Sequence, residues 1–490
     1  MNQKSLQDKT FSSIAWSGSI QVLSQILNFG LGIILARLLT PEDFGIMATI
    51  LVFIGISQLL SDFGLSSSLI QKEKITNTES FSCAVLNTIF GGLFTFTLII
   101  FHNDIANFYN EPQLKSIVLV IAPIFILHSM CSVPQALLSR ELEHKKISII
   151  GLISMITSSI IAVGLALADF GIWSLVSQQY INVTLRTIML IYLSELSLSR
   201  FNISSIRGLF NFSANVFLTR LIQQIAQQTD KVLIGKYLGT SELGLYSRAF
   251  HFTAFPINNV TRVVSNVLFP ALTKVNEDSD KVASVYLTVI GYIAIITFPT
   301  LSGFAYLSSE IIITLLGDQW LPMQPYLVFF SIIGIVSSIG QVSTPFFLSQ
   351  GKANLHLKLN LFTQPVKTFF LLIGISWGLE GVLIANAASS FVSFTSSLLV
   401  LMLFVNVTVM SIIKVLYKTL LATCLMIFAL EAINILFIYN SPTHKLFWNT
   451  LIGSLLYILL NYLLINRSFL NLINLLISRL NKSKVKFKIN

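Results

Sequence analysis

Apolar residues run along this chain in fourteen long stretches that are separated by short polar connections. Each stretch is close to or above the roughly 20 residues that an α-helix needs to cross about 30 Å of hydrocarbon. The stretches are continuous rather than alternating in polarity, which excludes a membrane β-barrel. The pattern predicts an all-α integral membrane protein of about fourteen transmembrane helices. The predicted spans lie near residues 12–36, 44–61, 80–101, 115–138, 147–168, 171–193, 208–232, 243–269, 282–306, 323–348, 357–377, 381–404, 412–438 and 446–466.

The composition agrees with this class and limits the chemistry. Of the 490 residues, 54% are apolar and only 11% are charged, whereas a soluble protein carries about 25% charged residues. The N-terminus lacks the short apolar core and the cleavage site of a signal peptide, so we expect the first span to be retained. The sequence contains no phosphate-binding loop, metalloprotease helix, Cys/His cluster or nucleophile elbow. We therefore expect a protein that is not an enzyme and that needs no metal or cofactor.

The distribution of basic residues predicts the orientation in the membrane. With the N-terminus in the cytoplasm, 21 of the 31 Lys and Arg residues fall in cytoplasmic segments and 5 in outer connections. Such an excess marks the cytoplasmic side, and it explains the net charge of +10 without a nucleic-acid partner. An even number of spans then places both termini in the cytoplasm.

The C-terminal segment has the pattern of a membrane-surface element. Polar and apolar residues at 467–480 recur with the spacing of a short interfacial helix, which would lie at the membrane surface. Four lysines follow it, Lys482, Lys484, Lys486 and Lys488. We expect this basic tail to bind anionic membrane lipids.

A short internal repeat indicates a duplication. Residues 35–46 and 234–245 align without a gap, and each segment lies at the outer end of the first span of a six-span set. Basic, acidic and glycine positions coincide, namely Arg37 with Lys236, Asp43 with Glu242, and Gly45 with Gly244. Six spans per copy give both halves the same orientation, which implies two parallel lobes around a central cavity. We predict an N-lobe at 1–200, a C-lobe at 201–405, two further spans at 406–466, and the interfacial helix and tail at 467–490.

Five cationic side chains lie inside the predicted spans, namely Arg186, Arg220, Arg248, Arg262 and Lys367. A charge that faces lipid at the bilayer centre costs about 2.5–3.5 kcal/mol. A single carboxylate at comparable depth, Glu431, cannot neutralise five cations. The cations therefore predict a water-filled, electropositive cavity that suits an anionic substrate. Arg248 and Arg262 lie near span ends, so their side chains have an alternative, which is to extend to the membrane interface.

Amide side chains follow one face of two corresponding spans. The first span carries Gln25 and Asn28, and the seventh carries Gln224 and Gln227, among polar groups at three- and four-residue spacing. In lipid-facing positions these amides would lack hydrogen-bond partners, so we expect them to face inward. They either bond neighbouring helices or bind sugar hydroxyls, to which an amide both donates and accepts. The guanidinium groups suit a pyrophosphate, whose oxygens they bind in pairs.

Several segments resemble the bacterial polysaccharide transporters, the Wzx-type flippases of the multidrug/oligosaccharidyl-lipid/polysaccharide exporter superfamily. Residues 33–45 read IILARLLTPEDFG, residues 230–239 read DKVLIGKYLG, and residues 243–249 read LGLYSRA. The likeness covers most of residues 1–405. It implies two six-helix lobes like those of the multidrug exporters, alternating access, and an undecaprenyl-pyrophosphate-linked oligosaccharide as substrate. Such a flippase moves its substrate from the cytoplasmic to the outer leaflet of the bacterial inner membrane.

Two other functions stay open from the sequence. A cation-coupled multidrug exporter has the same fold but favours an acidic or apolar cavity, and its usual carboxylate in the first span is absent here. A membrane glycosyltransferase, polymerase or ligase needs catalytic groups, usually on a sizeable outer loop, and the connections here are short. Without a nucleotide site, transport must draw on an ion gradient or on consumption of the product, for example by a downstream polymerase. The candidates for ion coupling are Asp62, Asp230 and Glu431.

Overall fold

The computed structural model describes residues 3–60, 62, 64–274 and 279–473. These residues form α-helices and two short 3-10 helices, with no β-strand in the described part of the chain. The α-helices are α1 (Gln3–Leu38), α2 (Pro41–Leu60), α3 (Leu65–Gln71), α4 (Asn77–Ile100), α5 (His102–Tyr109), α6 (Gln113–Ile121), α7 (Ile124–Arg140), α8 (His144–Leu167), α9 (Ile172–Leu193), α10 (Ile203–Tyr237), α11 (Thr240–Lys274), α12 (Ser279–Tyr306), α13 (Ser308–Leu315), α14 (Gln324–Gly340), α15 (Ser343–Ser349), α16 (Ala353–Gly374), α17 (Gly378–Phe404), α18 (Val409–Leu436) and α19 (Pro442–Leu463). The 3-10 helices are Asp318–Met323 and Ile375–Trp377.

Every predicted span coincides with one helix or with two consecutive helices. Span 44–61 corresponds to α2, for example, and span 115–138 corresponds to α6 followed by α7. Nine helical segments within the described ranges are long and apolar enough to cross a membrane. The all-α, multi-pass membrane class is therefore confirmed, whereas the number of fourteen spans stays a prediction. Short helices, among them α3, α5 and α13, lie where the sequence pattern predicted only connections.

Proline residues affect these helices in different ways. α6 ends at Ile121 and α7 begins at Ile124, with Pro123 between them. Because proline has no N–H group, it cannot continue the hydrogen-bond ladder of the preceding helix. Pro299 and Pro365, by contrast, lie inside the continuous helices α12 and α16. Of these three prolines, only Pro123 coincides with a break in the helix.

The first copy of the repeat begins α2 with a cap that its sequence encodes. The Thr40 hydroxyl accepts a hydrogen bond from the backbone N–H of Asp43 at 3.2 Å, and the Asp43 carboxylate accepts one from the N–H of Thr40 at 2.9 Å. This reciprocal pair satisfies N–H groups that have no partner within the first helical turn. Pro41 occupies the first helical position, where a missing N–H costs nothing.

The chain divides into two compact units, Met1–Ser247 and Arg248–Asn490. In the first unit, helices α2, α6, α7, α8 and α9 contribute to an apolar core that includes Ile46 and Phe125. Phe94 packs edge-on against Phe125, with ring centroids 5.2 Å apart. Helix α10 packs on α2, α3 and α4 within the same unit. The division of the sequence into lobes near residue 200 stays a prediction.

The second unit has a core of its own. Helices α12, α14, α15, α17 and α18 bury Phe298, Phe346 and Leu401 in it. The last two predicted spans correspond to α18 and α19, which pack against each other. The Tyr457 hydroxyl of α19 donates a hydrogen bond to the backbone carbonyl of Ile295 in α12 at 3.0 Å. This bond attaches α19 to the core of the second unit.

Two glycines of the internal repeat make a close, reciprocal contact within the first unit. A Cβ atom on Gly45 would lie 1.6 Å from the carbonyl oxygen of Thr240, and one on Gly244 would lie 1.9 Å from the carbonyl oxygen of Pro41. In the repeat, Gly45 matches Gly244 and Pro41 matches Thr240. Each copy therefore places its glycine against the helix start of the other copy. The starts of α2 and α11 come together so closely that both positions require glycine.

Candidate functional site

A polar cavity of about 350 Å³ lies inside the first unit. The end of α2 and the α3 region form one wall, and α7 and α9 form the others. Largely apolar helices and the turn after α2 contribute a cation, a carboxylate, an imidazole and three amides to this cavity, namely Arg186, Asp62, His128, Gln58, Gln135 and Asn182. Two of the predicted site residues, Arg186 and Asp62, both line this cavity.

Arg186 projects from α9 toward α7. One of its terminal nitrogens donates a hydrogen bond to Gln135 Oε1 at 2.9 Å. Its Nε atom is buried and has no hydrogen-bond partner among the described residues. The neighbouring residue Thr187 donates to the backbone carbonyl of Leu127 at 3.1 Å, which fixes α9 against α7 at this level. The guanidinium group is therefore held at one terminal nitrogen, while its buried Nε atom has no partner among the described residues.

Asp62 is fixed from two sides by hydrogen bonds. Its Oδ1 atom accepts from the backbone N–H of Ser66 at 3.0 Å and from the Asn87 amide at 3.4 Å. Asn87 is fully buried in α4 and also donates to the Ser132 hydroxyl at 2.8 Å. The buried Ser66 hydroxyl, which lines the cavity, has no partner among the described residues. The acidic side of the cavity is thus rigid but incompletely hydrogen-bonded.

Four of the polar residues in this cavity were not predicted from the sequence, namely Gln58, His128, Gln135 and Asn182. His128 and Gln135 lie two turns apart on α7, and His128 Nε2 is 3.5 Å from the Gln58 amide nitrogen. Asn182 precedes Arg186 by four residues on α9. Residues four apart on a helix share a face, so the pair Asn182/Arg186 on α9 was a signal that was available in the sequence.

The amides of the two corresponding spans lie in different surroundings. On α1, Gln25 is half-buried and Asn28 is exposed. On α10, Gln224 packs against α2, where a Cβ atom on Gly55 would lie 2.4 Å from its amide nitrogen, and Gln227 is exposed. Gln224 therefore contacts a neighbouring helix, and a side chain at position 55 would displace its amide group. The role of these amides in substrate binding stays a prediction.

The remaining predicted cations are distributed over α10, α11 and α16. The side chain of Arg220 lies outside the described residues. Arg248 and Lys367 are half-buried, and Arg262 is exposed. Exposure of Arg262 agrees with the alternative that its side chain extends toward the membrane interface. That these cations form one chamber with Arg186 stays a prediction.

Two of the candidate coupling carboxylates are hydrogen-bonded to tyrosines. Asp230 of α10 is buried and accepts a hydrogen bond from the Tyr246 hydroxyl at 2.9 Å. Glu431 of α18 is exposed and accepts one from the Tyr306 hydroxyl at 2.6 Å. Within the described ranges, no group of three or more His, Cys, Asp or Glu residues is placed to hold a metal ion. Ion coupling at Asp62, Asp230 or Glu431 stays a prediction.

The C-terminal segment is described only in part. Residues 467–473 are helical, in agreement with the start of the predicted interfacial helix. The rest of that helix and the four tail lysines lie at 474–490, outside the described residues.

Comparison with known proteins gives a consistent result. The profile of a family described as "Polysaccharide biosynthesis protein" matches residues 34–325. The chain is 24% identical to the lipopolysaccharide biosynthesis protein WzxC of Escherichia coli (strain K12) over 387 residues, which are 76% of each chain. It is 28% identical to the succinoglycan biosynthesis transport protein ExoT of Rhizobium meliloti (strain 1021) over 322 residues, 64% of each chain. Among solved structures, it shares the fold of the lipid II flippase MurJ in an inward closed conformation, with a TM-score of 0.77, 15% identity, and coverage of 92% of this chain and 98% of that one.

Proposed function

Because the chain belongs to the polysaccharide biosynthesis protein family, we propose that it moves a lipid-linked oligosaccharide from the cytoplasmic to the outer leaflet of the bacterial inner membrane. A relative is named as a transport protein of succinoglycan biosynthesis, and the fold is that of a lipid II flippase. Both support a transporter rather than an enzyme. The substrate that we propose is an oligosaccharide linked to undecaprenyl pyrophosphate.

The observation that carries this proposal is the polar cavity of the first unit. Its lining residues include a guanidinium and an imidazole on helices of a membrane protein, and a carboxylate in the turn between α2 and α3. Ionisable groups at membrane depth are costly, and they usually line a substrate or ion pathway. A cavity of this kind supports transport of a polar head group.

Alternating access resolves the physical difficulty of such a substrate. Pyrophosphate and sugars are too polar to cross hydrocarbon unaided, while the polyprenyl tail cannot leave it. We propose that the head group crosses in a basic cavity while the tail stays in lipid between two lobes that rock against each other. The substrate would be held by the predicted cations, with Arg220, Arg248, Lys367 and, less directly, Arg262 at the pyrophosphate and Arg186 at the attached sugars.

The same proposal includes the membrane setting and the driving force. Both termini lie in the cytoplasm, where the basic tail binds anionic lipids. Direction comes from an ion gradient acting on Asp62, Asp230 or Glu431, or from a downstream polymerase that consumes the flipped product. Replacing each carboxylate with its amide, as Asp→Asn or Glu→Gln, distinguishes these two driving forces. A flippase that is driven by ions then loses its response to the gradient.

A vesicle assay tests the function. The purified protein is reconstituted with an undecaprenyl-pyrophosphate-linked disaccharide that ends in galactose, and galactose oxidase is added outside. The enzyme oxidises only outward-facing sugars, so in protein-free vesicles the reaction stops at about half of the substrate. Reconstituted protein should make the whole pool reactive. Oxidation that stops at the same level with and without protein would contradict the proposal.

A double variant tests the predicted cations in the same assay. Arg220→Gln together with Arg248→Gln should abolish translocation while leaving membrane insertion intact, since both residues are predicted to hold the pyrophosphate. Unchanged translocation by the inserted double variant would remove these two arginines from the substrate path.

A further inference from the structure

The polar cavity of the first unit is balanced in charge, which distinguishes it from a phosphate site. It holds one arginine, Arg186, and one carboxylate, Asp62. We propose that this cavity is a sugar subsite, which binds one pyranose ring of the transported glycan and selects it by its hydroxyl groups. Its biological meaning rests on the proposed flippase function, but its ligand chemistry follows from the cavity itself.

Two buried polar atoms of the lining residues lack a partner. They are Arg186 Nε, a donor, and Ser66 Oγ, a donor and acceptor, neither of which has a hydrogen bond to the described residues. Buried polar groups in proteins are almost always hydrogen-bonded, so these two side chains have hydrogen-bonding capacity that the described residues do not use. A sugar hydroxyl both donates and accepts, and it can bond either side chain once that side chain turns toward the cavity.

The remaining polar groups extend the same pattern. Gln58, Gln135 and Asn182 bring three amides to the lining, each with a carbonyl oxygen and an NH₂ group. Amides match hydroxyls in either direction of hydrogen bonding. A site with many such groups and little net charge is built for a neutral polyhydroxyl ligand.

The presence of both charges in one cavity disfavours a pyrophosphate and a bare metal cation as ligands. A pyrophosphate placed beside Arg186 would also face the Asp62 carboxylate, and phosphate sites collect several cations or helix N-termini instead. A bare metal cation bound at Asp62 would face the Arg186 guanidinium. A neutral ligand experiences neither repulsion.

Size and wall chemistry suit a single sugar ring. About 350 Å³ is close to the lower end of the roughly 300–1,000 Å³ typical of small-molecule sites. Ala136 and Val183 supply apolar wall, against which the C–H face of a pyranose packs. Gln58 and Ile70 are exposed at the rim. Gln58 lies in the last turn of α2, and Ile70 follows that helix in the sequence. The predicted orientation places this end of α2 toward the cytoplasm, where the glycan is assembled.

Binding of simple glycosides tests the proposal directly. The probes are methyl glycosides of glucose, galactose and N-acetylglucosamine, with methyl glucuronide and inorganic pyrophosphate as the contrasting anionic ligands. Saturation-transfer NMR on the intact protein in nanodiscs measures their Kd. We expect at least one glycoside to bind, and Asn182→Leu and Gln135→Leu each to weaken it at least tenfold. Gln179→Leu is the control, since it makes the same change on α9 at a position that does not line the cavity.

The outcomes separate this inference from the proposed function. Absence of glycoside binding in wild-type protein would overturn the sugar subsite, as would binding that stays unchanged in both correctly folded cavity variants. Size-exclusion profiles and melting temperatures establish that the variants fold. If the wild-type protein binds a glycoside through this cavity but fails to flip the lipid-linked disaccharide, the proposed function is wrong and the subsite stands. If the cavity variants lose glycoside binding and translocate normally, the site binds sugar but does not select the transported glycan, and the inference fails.

Discussion

Replacing Gly45 with alanine should separate the starts of α2 and α11. The added Cβ atom would lie 1.6 Å from the Thr240 carbonyl oxygen, whereas real Cβ atoms stay at least 3.0 Å from such an atom. Both groups belong to the backbone, so no side chain can rotate away to make room. The two helix starts must therefore move apart by more than about 1 Å, or one of them must deform.

The cost of this change is large enough to measure. Forcing extra volume into a packed contact costs about 1–3 kcal/mol, and a difference of that size shifts an equilibrium between two conformations about 5- to 150-fold. Helix propensity acts in the opposite direction, because alanine is favoured over glycine by about 1 kcal/mol in a helix. Any loss of stability in Gly45→Ala is therefore steric. Gly92→Ala in α4 is the matched control, since no atom lies within 4 Å of its added Cβ.

Spin labels at Leu38 and Tyr237 report on this separation. Both residues are exposed, at 38% and 62%, and they occupy matching positions of the repeat next to the contact. In a variant without the native cysteines, double electron–electron resonance should show a longer distance for Gly45→Ala than for wild type. Gly244→Ala, whose Cβ would meet Pro41 O at 1.9 Å, should show the same direction of change. A Gly45→Ala protein with the wild-type distance distribution and melting temperature would refute this reasoning.

Three further predictions follow from the site and the topology. Arg186→Lys keeps the charge but loses the Nε donor and the planar fork, so translocation in the vesicle assay should fall about tenfold; full activity would mean that only the charge matters. Tyr246→Phe removes the hydrogen bond to the Asp230 carboxylate, which should lower the free energy of unfolding by about 1.5–3 kcal/mol, while the exposed control Tyr237→Phe should leave it unchanged. A single cysteine at Lys484 should stay unlabelled by an impermeant maleimide applied to intact cells, and labelling from outside would invert the predicted orientation.

The fold was predictable because its signals are local. A long apolar run specifies a membrane helix by itself, and the Thr40–Pro41–Asp43 pattern specifies the start of α2 through two side-chain to backbone bonds between residues three apart. Short helices such as α3 and α5 were missed, because seven or eight residues carry too few apolar positions to show a helical period.

The site was only partly predictable, because it depends on which helix faces meet. Arg186 was recognised as a charge inside a predicted span and Asp62 as a candidate for ion coupling, yet their common cavity depends on the packing of α7 and α9. His128 and Gln135 looked like isolated polar residues, and the partner that makes Gln135 informative lies 51 positions away in sequence. The repeat showed that Gly45 and Gly244 correspond to each other, but the period of a sequence cannot show that corresponding residues touch.

That contact has the symmetry of an isologous dimer interface, in which residue i of one subunit meets residue j of the other and the reverse also holds. In a true homodimer one substitution appears on both sides of the axis, so the two contacts always change together. In this chain they are separate positions, with Gly45 against Thr240 and Gly244 against Pro41. A mutation can therefore loosen one contact and leave the other tight. Because the two repeat copies belong to one chain, the two contacts can differ in strength, which is impossible in a symmetric dimer.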